Sequence, residues 1–465
     1  MRIEKDTMGE INLPDDSYYG AQTKRAFDNF QISSKKIPRS MISSIAMIKR
    51  SAAIVNNQLN FINSKVKDAV VKACDEVIQG KYDNQFIVDV YQTGSGTSSN
   101  MNANEVIANR ACEILGGNKG DKTLVHPNDQ VNYGQSSNDV IPTSIHIATS
   151  IETTKRLIPE LKLLKKSLDN KSHEFKDIIK IGRTHLMDAT PITLGQEFSG
   201  YSKMIENSIL RLENDLPFLF KLAQGGTAVG TGINTHKDFG KLIAKEISIV
   251  TGLNFSESDN HFESQATQDS IVHFSGSLKT LAVSLYKIAN DIRWLGSGPR
   301  SGLGELVLPA VQPGSSIMPG KVNPVICESL IQVSSQVVGY DNAITLGGMG
   351  GIFELNLMLP LIGSNILESI NILSNAMVMF REKLLDNLSA NEKKCNGYIE
   401  DSLAMCTSLA PIIGYDKAAS IAKKAFKTDK TVREICIEDN VLSENDLSKI
   451  LDPYSMIKPN DSNKK

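Results

Sequence analysis

The sequence predicts a mainly α protein organised around a central bundle of long helices. Apolar residues recur at alternating spacings of three and four over long stretches, the pattern of helices packed lengthwise against one another. Period-two alternation, the mark of half-buried strands, is sparse.

At 465 residues the chain is too long for one small core, and length alone suggests roughly two to four domains. Positions 1–137 mix turns, short strand-like runs and helices, and read as an N-terminal domain. Positions 138–390 read as the helical bundle. A charged helix is expected over Leu157–Phe175. A second carries Leu194, Phe198, Tyr201, Ile205, Ile209, Leu212 and Leu216. The clearest stripe is Ile271, Phe274, Leu278, Leu281, Leu285, Ile288 and Ile292, and Ile362, Ile366, Ile370, Leu373, Met377 and Phe380 repeat it. Positions 391–465 read as a small C-terminal helical domain. There Val441–Asp446, "VLSEND", has the form of a capping box. The polar end Asp461–Lys465 is expected to fray. Long unbroken apolar stripes need partners, so a homo-oligomer is expected rather than a bundle completed within one chain.

Composition excludes several function classes. The formal charge is −2, with no basic block that would attract nucleic acid or a membrane surface. The first sixteen residues lack an apolar segment of signal-peptide type, and no run is apolar enough to span a bilayer. A cytoplasmic protein is expected. The six cysteines form no CxxC pair and the histidines no HxxxH or HxH pair, so neither a metal nor a cofactor is expected.

The most pointed segment is "GSSIMPGKVNP", Gly314–Pro324. It is not a phosphate-binding P-loop: five residues separate Gly314 from Gly320, and Val322 follows the lysine. Asn323-Pro324 reads as an N-cap followed by proline at the first helical position. A helix N-terminus beside Lys321 suits a carboxylate or a developing oxyanion. The same environment can favour ionisation of a serine hydroxyl, a poor base on its own. The competing reading is a surface turn whose Ser and Asn merely cap. Four further segments share this character: "QTGSGTSSNMNANEV" (Gln92–Val106), "GQSSNDVIPTS" (Gly134–Ser144), "GRTHLMDATP" (Gly182–Pro191) and "QGGTAVGTGINTH" (Gln224–His236). Each alone is ordinary helix punctuation. Together they supply many neutral donors and few carboxylates, an inventory that fits a small dianion.

These segments, in this order and with "IANDIRWLGSGPR", resemble the fumarase/aspartase superfamily over nearly the whole chain. "QTGSGTSSNMN", "HPND" (His126–Asp129) and "GGIFELN" (Gly350–Asn356) are similar to the iron-independent, class II fumarate hydratases. Two departures stand out. The ending "LDPYSMIKP", Leu451–Pro459, resembles aspartase tails, and Thr123 stands where many fumarases carry a basic residue.

The resemblance implies a three-domain fold whose bundles pack into a homotetramer, each active site taking loops from three chains. It implies a hydro-lyase: reversible anti addition of water to fumarate, giving L-malate through an aci-carboxylate, without metal or cofactor. By that likeness Ser315 is the base, and Lys321 and Asn323 hold the carboxylate. His185, paired with Glu328, is the acid. Ser95, Gly96, Thr97, Asn100, Ser136, Ser137, Asn138, Thr184, Ser316 and Val322 bind the dicarboxylate. His126, Pro127, Asn128 and Asp129 form an accessory dicarboxylate site. Two alternatives stay open: aspartate ammonia-lyase, and a non-catalytic structural tetramer of the same fold.

Overall fold

The computed structural model describes residues 1–459; the end expected to fray, 461–465, lies outside them. Helices dominate. In chain order they are α1 Ala21–Asn29, α2 Arg39–Gln58, α3 Ser64–Ile78, α4 Thr97–Ile114, α5 Ser137–Glu152, α6 Ile158–Glu174, α7 Leu194–Leu219, α8 Phe239–Thr251, α9 His261–Ala266, α10 Asp269–Leu295, α11 Val325–Gly348, α12 Leu359–Lys383, α13 Glu392–Asp401, α14 Ala410–Ile413, α15 Tyr415–Thr428, α16 Val432–Glu438 and α17 Glu444–Ile450. The described strands form two-stranded ladders only, of which β1 Arg2–Asp6 with β2 Gly9–Leu13 and β3 Ile179–Thr184 with β4 Met187–Thr193 are the longest.

The chain divides into two compact units, each assembled from three segments. The first comprises Met1–Pro159, Ser208–Ala282 and Val333–Asn375; the second comprises Glu160–Asn207, Val283–Gln332 and the chain from Ala376 onward. Every residue of the three apolar stripes, on α7, α10 and α12, is buried. Burying one such side chain contributes roughly 1.5–3 kcal/mol, so these stripes are a principal source of the stability of both units.

In the first unit, α5 begins with a complete capping box. Ser136 accepts the Asn138 N–H, and Asp139 accepts the Ser136 N–H at 2.9 Å. This fixes the direction in which Ser137 and Asn138 leave the turn. α4 begins at Gly96, whose φ of +73° suits glycine; a Cβ there would lie 3.0 Å from Ile141.

The C-terminal segment of the second unit packs Leu409, Ile421, Ala425, Val432, Ile435, Leu447 and Leu451 into one cluster with Ile179 and Ile181 of β3. Ser443 caps α17 by accepting the Asp446 N–H at 3.2 Å. All six cysteines are free thiols and buried.

Candidate active site

Two sets of polar groups hold the residues singled out by sequence, one in each unit. In the first, the starts of α4 and α5 are joined by hydroxyls. Ser95 Oγ lies 2.7 Å from Thr97 Oγ1, which lies 2.7 Å from Ser137 Oγ. Asn138 Nδ2 donates to the Ala228 carbonyl at 2.7 Å, tying this corner to the Gly/Thr-rich turn. Asn100 Nδ2 donates to Asn132 Oδ1 at 3.3 Å, while Asn100 Oδ1 is buried without a protein partner. A buried acceptor left unpaired is costly, so this carbonyl is suited to a donor brought by a ligand or water.

Beneath this corner lie two groups that sequence reading missed. Lys49, fully buried on α2, donates to Asn132 Oδ1 at 2.6 Å and to Gln135 Oε1 at 3.2 Å. Burial pulls its ammonium down to about 7. Asp139 accepts from Gln224 Nε2 and from the backbone N–H groups of Gly225 and Thr227, and burial pushes its carboxyl up to about 6. A signal for Lys49 existed: it stands four residues after Ile45 and three before Ala52, on the apolar face of its helix.

Beside this corner is a cleft of about 800 Å³, walled by Phe61, Asn128, Asp129, Asn132, Tyr133, Gln135, Ser136, Thr227, Ala228, Ile233, Asn234 and Thr235. His126 serves the backbone: its Nδ1 accepts the N–H groups of Asn128 and Asp129, both at 3.2 Å, and caps the turn Pro127–Val131. Asn128 and Asp129 face the cleft; His126 and Pro127 are not among its walls.

In the second unit, the loop 314–324 is closed at its neck. The Gly314 N–H donates to the Lys321 carbonyl at 2.8 Å, and Asn323 Nδ2 to the Gly314 carbonyl at 2.7 Å. Gly314 cannot carry a side chain, since a Cβ would lie 2.6 Å from Lys321 O. Ser315 Oγ accepts the backbone N–H groups of Ile317 at 3.2 Å and Met318 at 3.0 Å. Two N–H dipoles aimed at one hydroxyl oxygen stabilise its ionised form. Ser316, Lys321 and Val322 are exposed. The expected cap at Asn323-Pro324 is corrected in detail. The first helical hydrogen bond runs from the Glu328 N–H to the Pro324 carbonyl, so proline stands at the cap, while the Asn323 amide holds the loop.

Thr184 and His185 occupy the β3–β4 hairpin, where Thr184 pairs with Met187 across a two-residue tip. His185 (φ +57°) and Leu186 (φ +61°) both adopt left-handed backbone, a conformation that costs side-chain-bearing residues on the order of 1–3 kcal/mol each. Glu328, in the first turn of α11, lines a second cleft of about 660 Å³ with Lys321, Val322 and Asn323. His185 does not line it, and among the described residues no hydrogen bond or ion pair joins it to Glu328. Four of the remaining histidines have structural partners: His146 meets the Leu219 and Lys221 carbonyls, His236 Nδ1 accepts the Asp238 N–H, His261 meets Glu257, and His273 meets Asp215.

Comparison with known proteins is consistent along the chain. A lyase family model matches residues 9–339, and a model of the fumarase C C-terminus matches residues 405–458. The tail that resembled aspartases therefore falls almost wholly within a fumarase-type match. The chain is 50% identical to a class II fumarate hydratase of Brucella suis over 98% of this chain and 99% of that one. It is 50% identical to the mitochondrial fumarate hydratase of Dictyostelium discoideum, over 98% and 94%. The crystal structure of a class II fumarase from Schistosoma mansoni superimposes with a TM-score of 0.97 at 41% identity, over 99% of this chain and all of that one.

Proposed function

The chain belongs to the class II fumarate hydratases of the lyase family, and on that premise we propose how its own residues perform the reversible hydration of fumarate to L-malate. The observation that carries the proposal is the pair of N–H groups on Ser315 Oγ, in a loop whose neck also fixes Lys321 and Asn323.

In the dehydration direction, ionised Ser315 Oγ removes the C3 proton of malate. The C3–H bonding pair moves onto the adjacent carboxylate, which becomes a doubly charged aci-carboxylate. The Lys321 ammonium and the second N–H of the Asn323 amide hold that charge more tightly than the ground state. The double bond then forms, the C2–O bond breaks, and the departing hydroxide takes a proton from His185. Glu328 pairs with that histidine, fixing its tautomer and ring orientation. Ser316, Val322 and Thr184 bind substrate beside these groups. Ser95, Gly96, Thr97, Asn100, Ser136, Ser137 and Asn138 supply the neutral donors for the carboxylates.

The His185 and Glu328 of one chain are not joined, which supports a site assembled from loops of three chains in a homotetramer. Exposed apolar residues on the long helices, among them Leu210, Phe218, Val283, Tyr286 and Leu346, support self-association. His126, Pro127, Asn128 and Asp129 form the accessory dicarboxylate site of this proposal, with Nε2–H of His126 as its donor. A cytoplasmic location completes it; among the described residues, no helix is long and apolar enough to cross a membrane.

Replacing Ser315 by Ala tests the chemistry. Turnover should fall by at least about 10²-fold with the oligomer unchanged in size-exclusion chromatography. Near-normal turnover would remove Ser315 as the base.

A further inference from the structure

The tip that carries His185 is held in a conformation its own sequence disfavours. Left-handed backbone at both central positions is the signature of a type I′ turn, for which Asn-Gly is preferred; here the pair is His185-Leu186. Leu186 is 64% exposed, so burial does not offset the strain. Something outside the turn must over-determine it.

The adjoining residue supplies that restraint. Arg183 directs both terminal nitrogens at Glu305, Nη1 to Oε2 and Nη2 to Oε1, each at 2.9 Å. Glu305 is fully buried. Its backbone N–H donates to Leu295 at the end of α10, and its carbonyl accepts from Asn391. The carboxylate is thus a fixed post, and a planar fork on it fixes the arginine in angle as well as in distance. Lys180, 1% exposed, lies 3.5 Å from Glu305 and 3.3 Å from Glu197, so the four charges compensate within one buried group. Opposite Gly182 the hairpin is bulged: Ala189 and Thr190 face one residue of β3. A Cβ on Gly182 would lie 2.7 Å from Thr190 O. The bulge sets the angle at which the tip leaves the fork.

We propose that Arg183 and Glu305 are positioning residues for catalysis: their buried fork holds the strained His185-Leu186 turn so that the imidazole meets the departing hydroxyl. This rests on the reading of His185 as proton donor.

Four variants test it together: Glu305→Gln, which keeps size but loses the charged fork; Arg183→Lys, which keeps the charge without the fork; Leu186→Gly, which relieves the turn; and His185→Asn. Turnover is measured per folded oligomer, with melting temperature alongside. Glu305→Gln should lower kcat about 10- to 100-fold with little change in KM, the cost of misplacing a reacting group by about an ångström. Arg183→Lys should lower kcat in the same way. Leu186→Gly, which favours the same turn, should melt no lower than the parent and keep kcat within about twofold; a large loss there would mean that Leu186 itself, not the fork, places the imidazole. If His185→Asn is inactive while Glu305→Gln turns over within about twofold of the parent, the fork is merely structural and the proposal fails alone. A fully active His185→Asn would remove the role of the histidine, and this proposal with it.

Discussion

Asn323 Nδ2 donates to the carbonyl of Gly314 across the neck of the serine loop at 2.7 Å. One amide thereby does two jobs. One N–H closes the loop, and in the proposed mechanism the other meets the substrate carboxylate. Asn323→Asp keeps the shape but sets a carboxylate against a carbonyl. It should lower kcat by about 10²-fold and speed proteolytic cleavage within 314–324. A loop equally resistant to protease would show that the neck is held by the Gly314–Lys321 backbone bond alone.

In the proposed mechanism the hydroxyl line Ser95–Thr97–Ser137 serves binding rather than bond-breaking. Thr97 Oγ1 stands within 2.7 Å of both neighbours. Thr97→Val removes the central hydroxyl and leaves the two serines without their shared partner. KM for malate should rise by about 10-fold, corresponding to one net hydrogen bond of about 1.4 kcal/mol, with a smaller change in kcat. A fall confined to kcat would place Thr97 with the reacting groups instead.

How far the sequence was readable depends on which forces left a pattern. The stripes on α7, α10 and α12 were legible because burial at helical spacing repeats over many turns. Ser315, Lys321 and Asn323 stood out as polar residues ahead of a helix, but simple capping accounts for the same composition, and only the family likeness gave them roles. Asp139 was not legible, and Lys49 showed only as a charge on the apolar face of its helix. The role of each comes from partners distant in sequence, such as Asn132 and Thr227. The left-handed tip at His185-Leu186 was equally hidden, because a sequence shows turn residues the backbone prefers, whereas this turn is imposed by the fork at Glu305.

His146 makes a pH prediction. It is buried against the Leu219 and Lys221 carbonyls, and burial holds its imidazole down to about 4 from an ordinary 6.5. Between those values the unfolded chain binds the proton and the folded chain does not, so stability is lost as pH falls from about 6.5 towards about 4. The full loss is on the order of 3 kcal/mol. Asp139, raised to about 6, acts in the opposite direction between 3.8 and 6, so the parent curve alone is ambiguous. The difference between parent and His146→Gln in urea melts is the proper quantity. The variant should lose less stability over this window, and parallel curves would sink the assignment.

The most direct test of the account follows fumarate by its ultraviolet absorbance, with purified protein, a chelator present, and L-malate or L-aspartate supplied separately. A rise with malate alone is the predicted result, and it would mean that the loop moves a proton and the enzyme releases water without a metal. A rise with aspartate alone would contradict the account, keeping the base but making the leaving group ammonia.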